Sequence, residues 1–215
     1  MSTDTPEFWN EVWSDIEDCG SGSDEILVVQ VESLKPGRAL DIGCGTGGNA
    51  VWLAKQGWQV TAVDYSVVAI EKGKRLAAER GVNVEFVVAD ASTFQPPNLY
   101  QLITSFYIQL FPTQRANMLA NMSKTLSPGG TLLFVSHDKS GPPSGWSEED
   151  LQSLTTPEEI VLELSGLQIE QAIILKPDQN ESHPSHMRGE GGGHKPHGSH
   201  DSNTTVVRAI RPKST

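Results

Sequence analysis

The segment ALDIGCGTGGNA, from Ala39 to Ala50, restricts the folds open to this chain more than any other. A short apolar run passes directly into a turn carrying Gly43, Gly45 and Gly48 in the spacing GxGxxG, and then into helix-forming residues. A strand that enters a helix through so tight a turn is the first half of a βαβ unit. Glycines in the turn let backbone pass where any Cβ would collide.

The alternation continues along the chain. WQVTAVD, VNVEFVVAD, QLITSFY and TLLFVSHD read as further strands. Between them, Gly48 to about Gln56 reads as a helix that Gly57 can end. SVVAIEKGKRLAAERG reads as a helix capped by Ser66 and closed by Gly81. PTQRANMLANMSKTL puts Met118, Leu119, Met122 and Leu126 on one helical face, with Pro112 suited to the first turn. DEILVVQVESL predicts an earlier helix against the sheet edge, and Thr156, Pro157 and Glu159 form the T-x-x-E capping box of a late one. LQIEQAIILKP and NTTVVRAIRP have strand composition. The pattern predicts an α/β fold, a doubly wound Rossmann-like sheet with helices on both faces and its ligand beyond the carboxyl ends of the strands.

A chain of 215 residues with 37% hydrophobic content supports one core. The division expected is an acidic arm over residues 1–24 and one domain over 25–215, with a mobile hairpin loop at about 178–203. Nine acids precede the first basic residue, Lys35, and the simplest reading of that arm is solubility. A net charge of -11 argues against nucleic acid as a partner. No run nears the roughly 18 apolar residues a membrane span needs, and no secretory leader is evident, so a cytoplasmic protein without membrane partners is expected, as monomer or homodimer. Cys19 and Cys44 form no CxxC, and Cys44 reads as a small packing residue. His183, His186, His194, His197 and His200 crowd the loop, but among triple glycine and prolines they offer no regular ligand spacing, and no resident metal is expected.

GxGxxG serves nicotinamide dinucleotides and S-adenosylmethionine alike. Asp41, just before the glycines, separates them: a carboxylate there repels a pyrophosphate but suits the ammonium and sulfonium of S-adenosylmethionine. Asp64 ends the second strand about twenty residues after the glycine loop, the spacing of an acid that accepts from ribose hydroxyls. Asp90 ends the third strand, where it can accept from the adenine amino group while the Ala91 amide donates to the ring. Acids at the ends of three successive strands form a far more specific pattern than the glycines.

LDIGCGTGGNAVWLAKQGWQVTAVDYS, VVADAS and LSPGGTLLFVSHD resemble the motifs of class I S-adenosylmethionine-dependent methyltransferases over about residues 25–211. FWNEVW and VVRAIRP resemble the tellurite-resistance and thiopurine-like group of small-molecule enzymes. The resemblance implies a seven-stranded sheet, mostly parallel, with NTTVVRAIRP as an antiparallel last strand. It implies S-adenosylmethionine as cofactor, with S-adenosylhomocysteine as product. Cys44, Asn49, Tyr65 and Ser66 would complete the lining begun by the glycines and acids, Ser105 and Phe106 would approach through backbone, and Trp13 would close over the cofactor from the arm.

Methyl transfer needs alignment and exclusion of water. A thiolate or reduced chalcogen oxyanion needs no base, whereas a hydroxyl does, and His137 and Asp138 at the end of the fifth strand are the candidates. Tyr107, Phe111 and Trp146 are candidates for the wall facing a small-molecule acceptor. The expected function is methyl transfer to an O, S, N or chalcogen atom of a small molecule. The alternatives are cofactor binding without transfer and a protein acceptor.

Overall fold

The computed structural model describes residues 5–16, 22–177 and 202–213. The expectations for Cys19 and the histidine tract fall outside the described residues.

Seven strands form one sheet in the order β3-β2-β1-β4-β5-β7-β6. The strands are β1 Arg38–Ile42, β2 Gln59–Asp64, β3 Val84–Val88, β4 Tyr100–Phe106, β5 Leu126–His137, β6 Gln168–Leu175 and β7 Thr204–Ile210. The first five run parallel, while β7 is antiparallel to both β5 and β6. The expected antiparallel insertion of the last strand is therefore present. Strand order reverses between β1 and β4, which opens a crevice at their carboxyl ends.

Among the described residues six α-helices accompany the sheet: α1 Pro6–Asp15, α2 Glu25–Val31, α3 Gly48–Lys55, α4 Val67–Glu79, α5 Pro112–Thr125 and α6 Pro157–Glu163. One face buries Met118, Leu119 and Met122 of α5 and Ile160 and Leu164 beside α6 against Leu40, Ile103 and Phe134. The other buries Leu27 and Val31 of α2 and Ala50 and Leu53 of α3 against Ala39, Ala62 and Leu102. Their apolar positions recur at helical spacing, so each helix presents one stripe to the sheet. Ser66 accepts from the Ala69 amide at the start of α4, and Thr156 and Glu159 make the reciprocal capping box of α6.

Two departures from the sequence reading matter for the site. The SPGG turn does not precede β5 but forms an irregularity inside it: Tyr100 pairs with Leu126, and Leu102 next pairs with Thr131. Backbone bonds from Gly129 to Arg211 and from Arg211 to Gly130 anchor that irregularity to the residue after β7. The arm, in turn, is more than a solubilising tail. Thr5 caps α1, which buries Trp9 and Trp13 against Ala69 with Tyr65 and Val68 alongside.

Candidate functional site

The first turn of α3 fixes the shape of the crevice. Gly45 and Gly47 hold φ of 51° and 78°, values that cost a side-chain-bearing residue about 1–2 kcal/mol. Space forbids a Cβ as well: one on Gly45 would lie 2.9 Å from Cζ2 of Trp13, and one on Gly47 would lie 2.9 Å from Cε1 of Phe86. Gly48 is the first residue of α3, and Gly47 before it is the N-cap in the left-handed conformation. The GG pair before the helix was the available signal. Ile108 leans on the loop from the other side, its Cδ1 2.8 Å from where a Gly43 Cβ would stand.

Three acids border this loop. Asp41 is 2% exposed; its Oδ1 accepts from the Thr104 hydroxyl at 2.7 Å, and its Oδ2 is buried without a partner. Burial raises its pKa to about 6, against the Thr104 hydrogen bond and with a further push from the Asp64 charge. Asp64 accepts from the Gly45 amide at 2.8 Å and the Ser66 amide at 2.9 Å. Burial nevertheless raises its pKa, the amides of Ser66, Gly45 and Tyr65 opposing the shift. Cys44 lies within reach of both charges, and burial first, then those two carboxylates, pushes its thiol well up. It stays protonated and unreactive. Asp90 is exposed just beyond β3; its Oδ1 accepts from the amide and hydroxyl of Ser92, which orients the carboxylate. Ala91 beside it is buried.

The arm covers the loop through contacts no local motif announces. Asn10 Oδ1 accepts from the Ser66 hydroxyl at 2.7 Å, and Lys72 of α4 donates to the carbonyls of Trp13 and Ile16 at the end of α1. A cation at a helix carboxyl end also complements its dipole. Asn49 is turned to α2 instead, its Oδ1 accepting from the Asp24 amide at 2.8 Å.

A second group gathers at the ends of β4 and β5. Ser105 and Phe106 are buried, and Ser105 Oγ has no partner. Tyr107 follows at φ 52°, a conformation sparsely populated by aromatic residues, pinned by its amide to the Val135 carbonyl. Its ring centroid is 4.9 Å from that of His137, and the Trp146 ring meets His137 edge-on at 5.0 Å. Phe111 lies at the start of α5, where the Gln114 side chain accepts from its amide, and it has no ring contact with the other three among the described residues. His137 is 6% exposed, with Nδ1 3.0 Å from Ser202 Oγ. Burial pushes the Tyr107 phenol upward, the Asp24 charge adding and a hydrogen bond with Thr204 opposing. Asp138 is fully buried and accepts from the amide and hydroxyl of Ser140 and from Thr205 Oγ1 at 2.6 Å.

A recess of about 240 Å³ bordered by Arg38, Thr61, Glu85 and Tyr100 lies at the opposite rim. The crevice with the glycines and acids is instead roofed by Trp13 and Ile108.

The crevice suits a cationic ligand. Asp41, buried with a partnerless oxygen, and the half-buried Asp64 disfavour a second anion and favour an ammonium or sulfonium, while the tight glycine loop admits backbone-close approach.

A methyltransferase domain model matches residues 39–130. The chain is 31% identical to a probable thiol methyltransferase 2 of Arabidopsis thaliana over 154 residues, covering 66% of this chain and 68% of that protein. It is 31% identical to the 2-heptyl-1-hydroxyquinolin-4(1H)-one methyltransferase of Mycobacteroides abscessus, covering 58% and 56%. Other curated relatives are matched over 23% to 42% of their length. In fold it is similar to the N-methyltransferase NodS of Bradyrhizobium japonicum in complex with S-adenosylhomocysteine, with a TM-score of 0.64 at 19% identity, covering 98% and 90%. No helix among the described residues is long and apolar enough to cross a membrane. Glycine loop, strand-end acids, sheet order and relatives agree: the chain belongs to the class I S-adenosylmethionine-dependent methyltransferases.

Proposed function

We propose that this enzyme methylates a hydroxyl of a small planar acceptor seated against Tyr107, His137 and Trp146, with His137 receiving the acceptor's proton. The observation that carries this reading is the imidazole of His137 at the end of β5, ringed by aromatics at 4.9 and 5.0 Å. The hydroxyquinolone acceptor named for one relative supports it.

When bound, S-adenosylmethionine supplies an electrophilic methyl group for in-line displacement. Asp64 would hold its ribose hydroxyls beside the loop amides of Gly45 and Ser66 from which it already accepts. Asp90 and the Ala91 amide would hold the adenine, and Asp41 would face the cationic end. Gly43, Gly45 and Gly47 would pass beneath the methionyl part, with Tyr65 and Ser66 at the ribose side and Trp13 above. His137 rather than Asp138 serves as base, because the Asp138 carboxylate is already committed to Ser140 and Thr205. The residues ordered around the crevice exclude water from the transfer. Residues 25–215 would act as one catalytic domain in the cytoplasm, with the arm as its roof. The acidic balance argues against a nucleic-acid acceptor.

A soft acceptor is the second reading, favoured by the thiol methyltransferase relative; a thiolate needs no base. Both are tested by S-adenosylhomocysteine release over a panel of phenols, hydroxyquinolines, small thiols, selenite and tellurite, with the wild type and H137N. Turnover of hydroxyl acceptors that falls about 10²- to 10⁴-fold in H137N supports the first reading. Turnover confined to thiols or chalcogens, unchanged in H137N, replaces it with the second.

A further inference from the structure

Strand β4 is the central strand of the seven, and Thr104 stands on it opposite Asp41 in the parallel pairing with β1. Thr104 is completely buried, with Leu102, Ile103 and Phe106 of the same strand also in the core. A valine would fill its place with the same shape, and a hydroxyl buried there costs stability unless it is hydrogen-bonded. Its partner is Asp41 Oδ1 at 2.7 Å; the Leu40 carbonyl, at 3.4 Å, lies beyond the ordinary length of a hydroxyl's bond. Charge fixes the direction: an ionised carboxylate can only accept, so Thr104 donates whenever Asp41 is charged. The other oxygen, Oδ2, is buried with no partner among the described residues.

We propose that Thr104 is a positioning residue for cofactor binding: by holding Oδ1 of Asp41 it leaves Oδ2 as the oxygen offered to the cofactor's cation, and it favours the charged carboxylate that a cation needs. The inference rests on Asp41 facing the cationic end of S-adenosylmethionine, and it extends that site to a residue 63 positions away in sequence. Three elements pack around the carboxylate. β2 brings the charge of Asp64, the loop before α3 brings the protonated Cys44 thiol, and β4 brings Thr104, which is neutral and donates. Burial and Asp64 both push Asp41 toward its neutral form, and the Thr104 hydroxyl opposes them. Without that donor the carboxylate would be buried and ringed by nothing that favours its charge.

Carbon-13 spectra of the full chain labelled at the aspartate carboxyls follow the titration of Asp41, whose signal is the one lost in D41N. In T104V that titration should move from about 6 to about 7–8, and T104S, which keeps the hydroxyl, should return it to the wild-type position. By calorimetry, S-adenosylmethionine affinity in T104V should fall about three- to fivefold at pH 6 and less than about twofold at pH 8.5, where Asp41 is largely charged in both proteins. 5′-Methylthioadenosine, the neutral adenosine part of the cofactor, should bind T104V as it binds wild type, which establishes that the variant is folded. An Asp41 titration unmoved in T104V, or an equal loss for methylthioadenosine, overturns the proposal. If the titration moves and S-adenosylmethionine affinity does not follow, in T104V as in D41N, Asp41 fails as the cation's partner, and Thr104 stands as the residue that holds its carboxylate.

Discussion

The two halves of the crevice are built by different means. On the β1–β3 side, residues close in sequence cooperate: Asp64 binds the amide of Gly45, 19 positions away, and of Ser66, two away, and Asp90 is set by Ser92. On the β4–β5 side, the partners come from afar: Ser202 for His137, Thr205 for Asp138 across 67 positions, Thr204 for Tyr107. On the proposed assignment, the cofactor would be recognised by a compact local unit, whereas the acceptor side would depend on the register of an inserted antiparallel strand. The first can be transferred between chains as a motif; the second must be rebuilt in each.

Breaking the local half should have the largest effect. In Gly45→Val, a branched side chain meets Trp13 at a position held at φ 51°. Overpacking and strain together are worth about 3 kcal/mol, so cofactor affinity should fall on the order of 100-fold by calorimetry. A loss below tenfold would mean that the loop tolerates a Cβ and does not define the cofactor bed.

A smaller effect sharpens the electrostatic side of the comparison. Asp41 has a folded pKa of about 6, above its value of 3.8 in an unstructured chain. Burial disfavours the charged form, so its contribution to folding is favourable when protonated and is lost as pH rises through 6. Binding of a cationic cofactor requires the charged form and runs the other way, weakening as pH falls below 6. Asp64 shifts in the same direction, and Asp41→Asn isolates the Asp41 share. Expected are a melting temperature that depends less on pH between about 4 and 7 in the variant, and S-adenosylmethionine affinity roughly tenfold weaker at pH 8, nearer the wild-type value at pH 5. Equal pH slopes for the two proteins would remove Asp41 from the cation site.

The same division explains what could be read in advance. The strands of the parallel sheet, the caps at Ser66 and Thr156 and the acids at 41, 64 and 90 were legible because each is a local pattern of period, cap or turn. Thr104 beneath Asp41, Ile108 against Gly43 and the serine and threonines before and within β7 were not, since only the sheet order brings them to the site. Asn49 was expected at the cofactor; its side-chain oxygen accepts from the Asp24 amide, a partner that no motif records. The contacts that hold the arm were not legible for a related reason. Its charge is evident in composition, but the pairing of Asn10 with Ser66 and of Lys72 with the end of α1 is evident only in three dimensions.

That arm gives the smallest expected effect on cofactor binding, and an informative one on folding. Trp13 is 4% exposed, and burying a ring of that size removes roughly 200 Å² from water, worth about 5 kcal/mol. Its cluster, however, comprises Trp9, Trp13 and Ala69 with their neighbours and is separate from the two that cover the sheet. In Trp13→Ala the lost energy should therefore appear as local opening of α1. Its amides should exchange rapidly, cofactor affinity should drop only a few-fold, and the main melting transition should move by a few degrees. If α1 were instead an integral layer, the full loss would lower the melting temperature by roughly 10–20 °C with all probes moving together. Trp13→Phe, which keeps an aromatic ring over Gly45, should retain most of the protection in α1, because the ring's contact with the loop is kept.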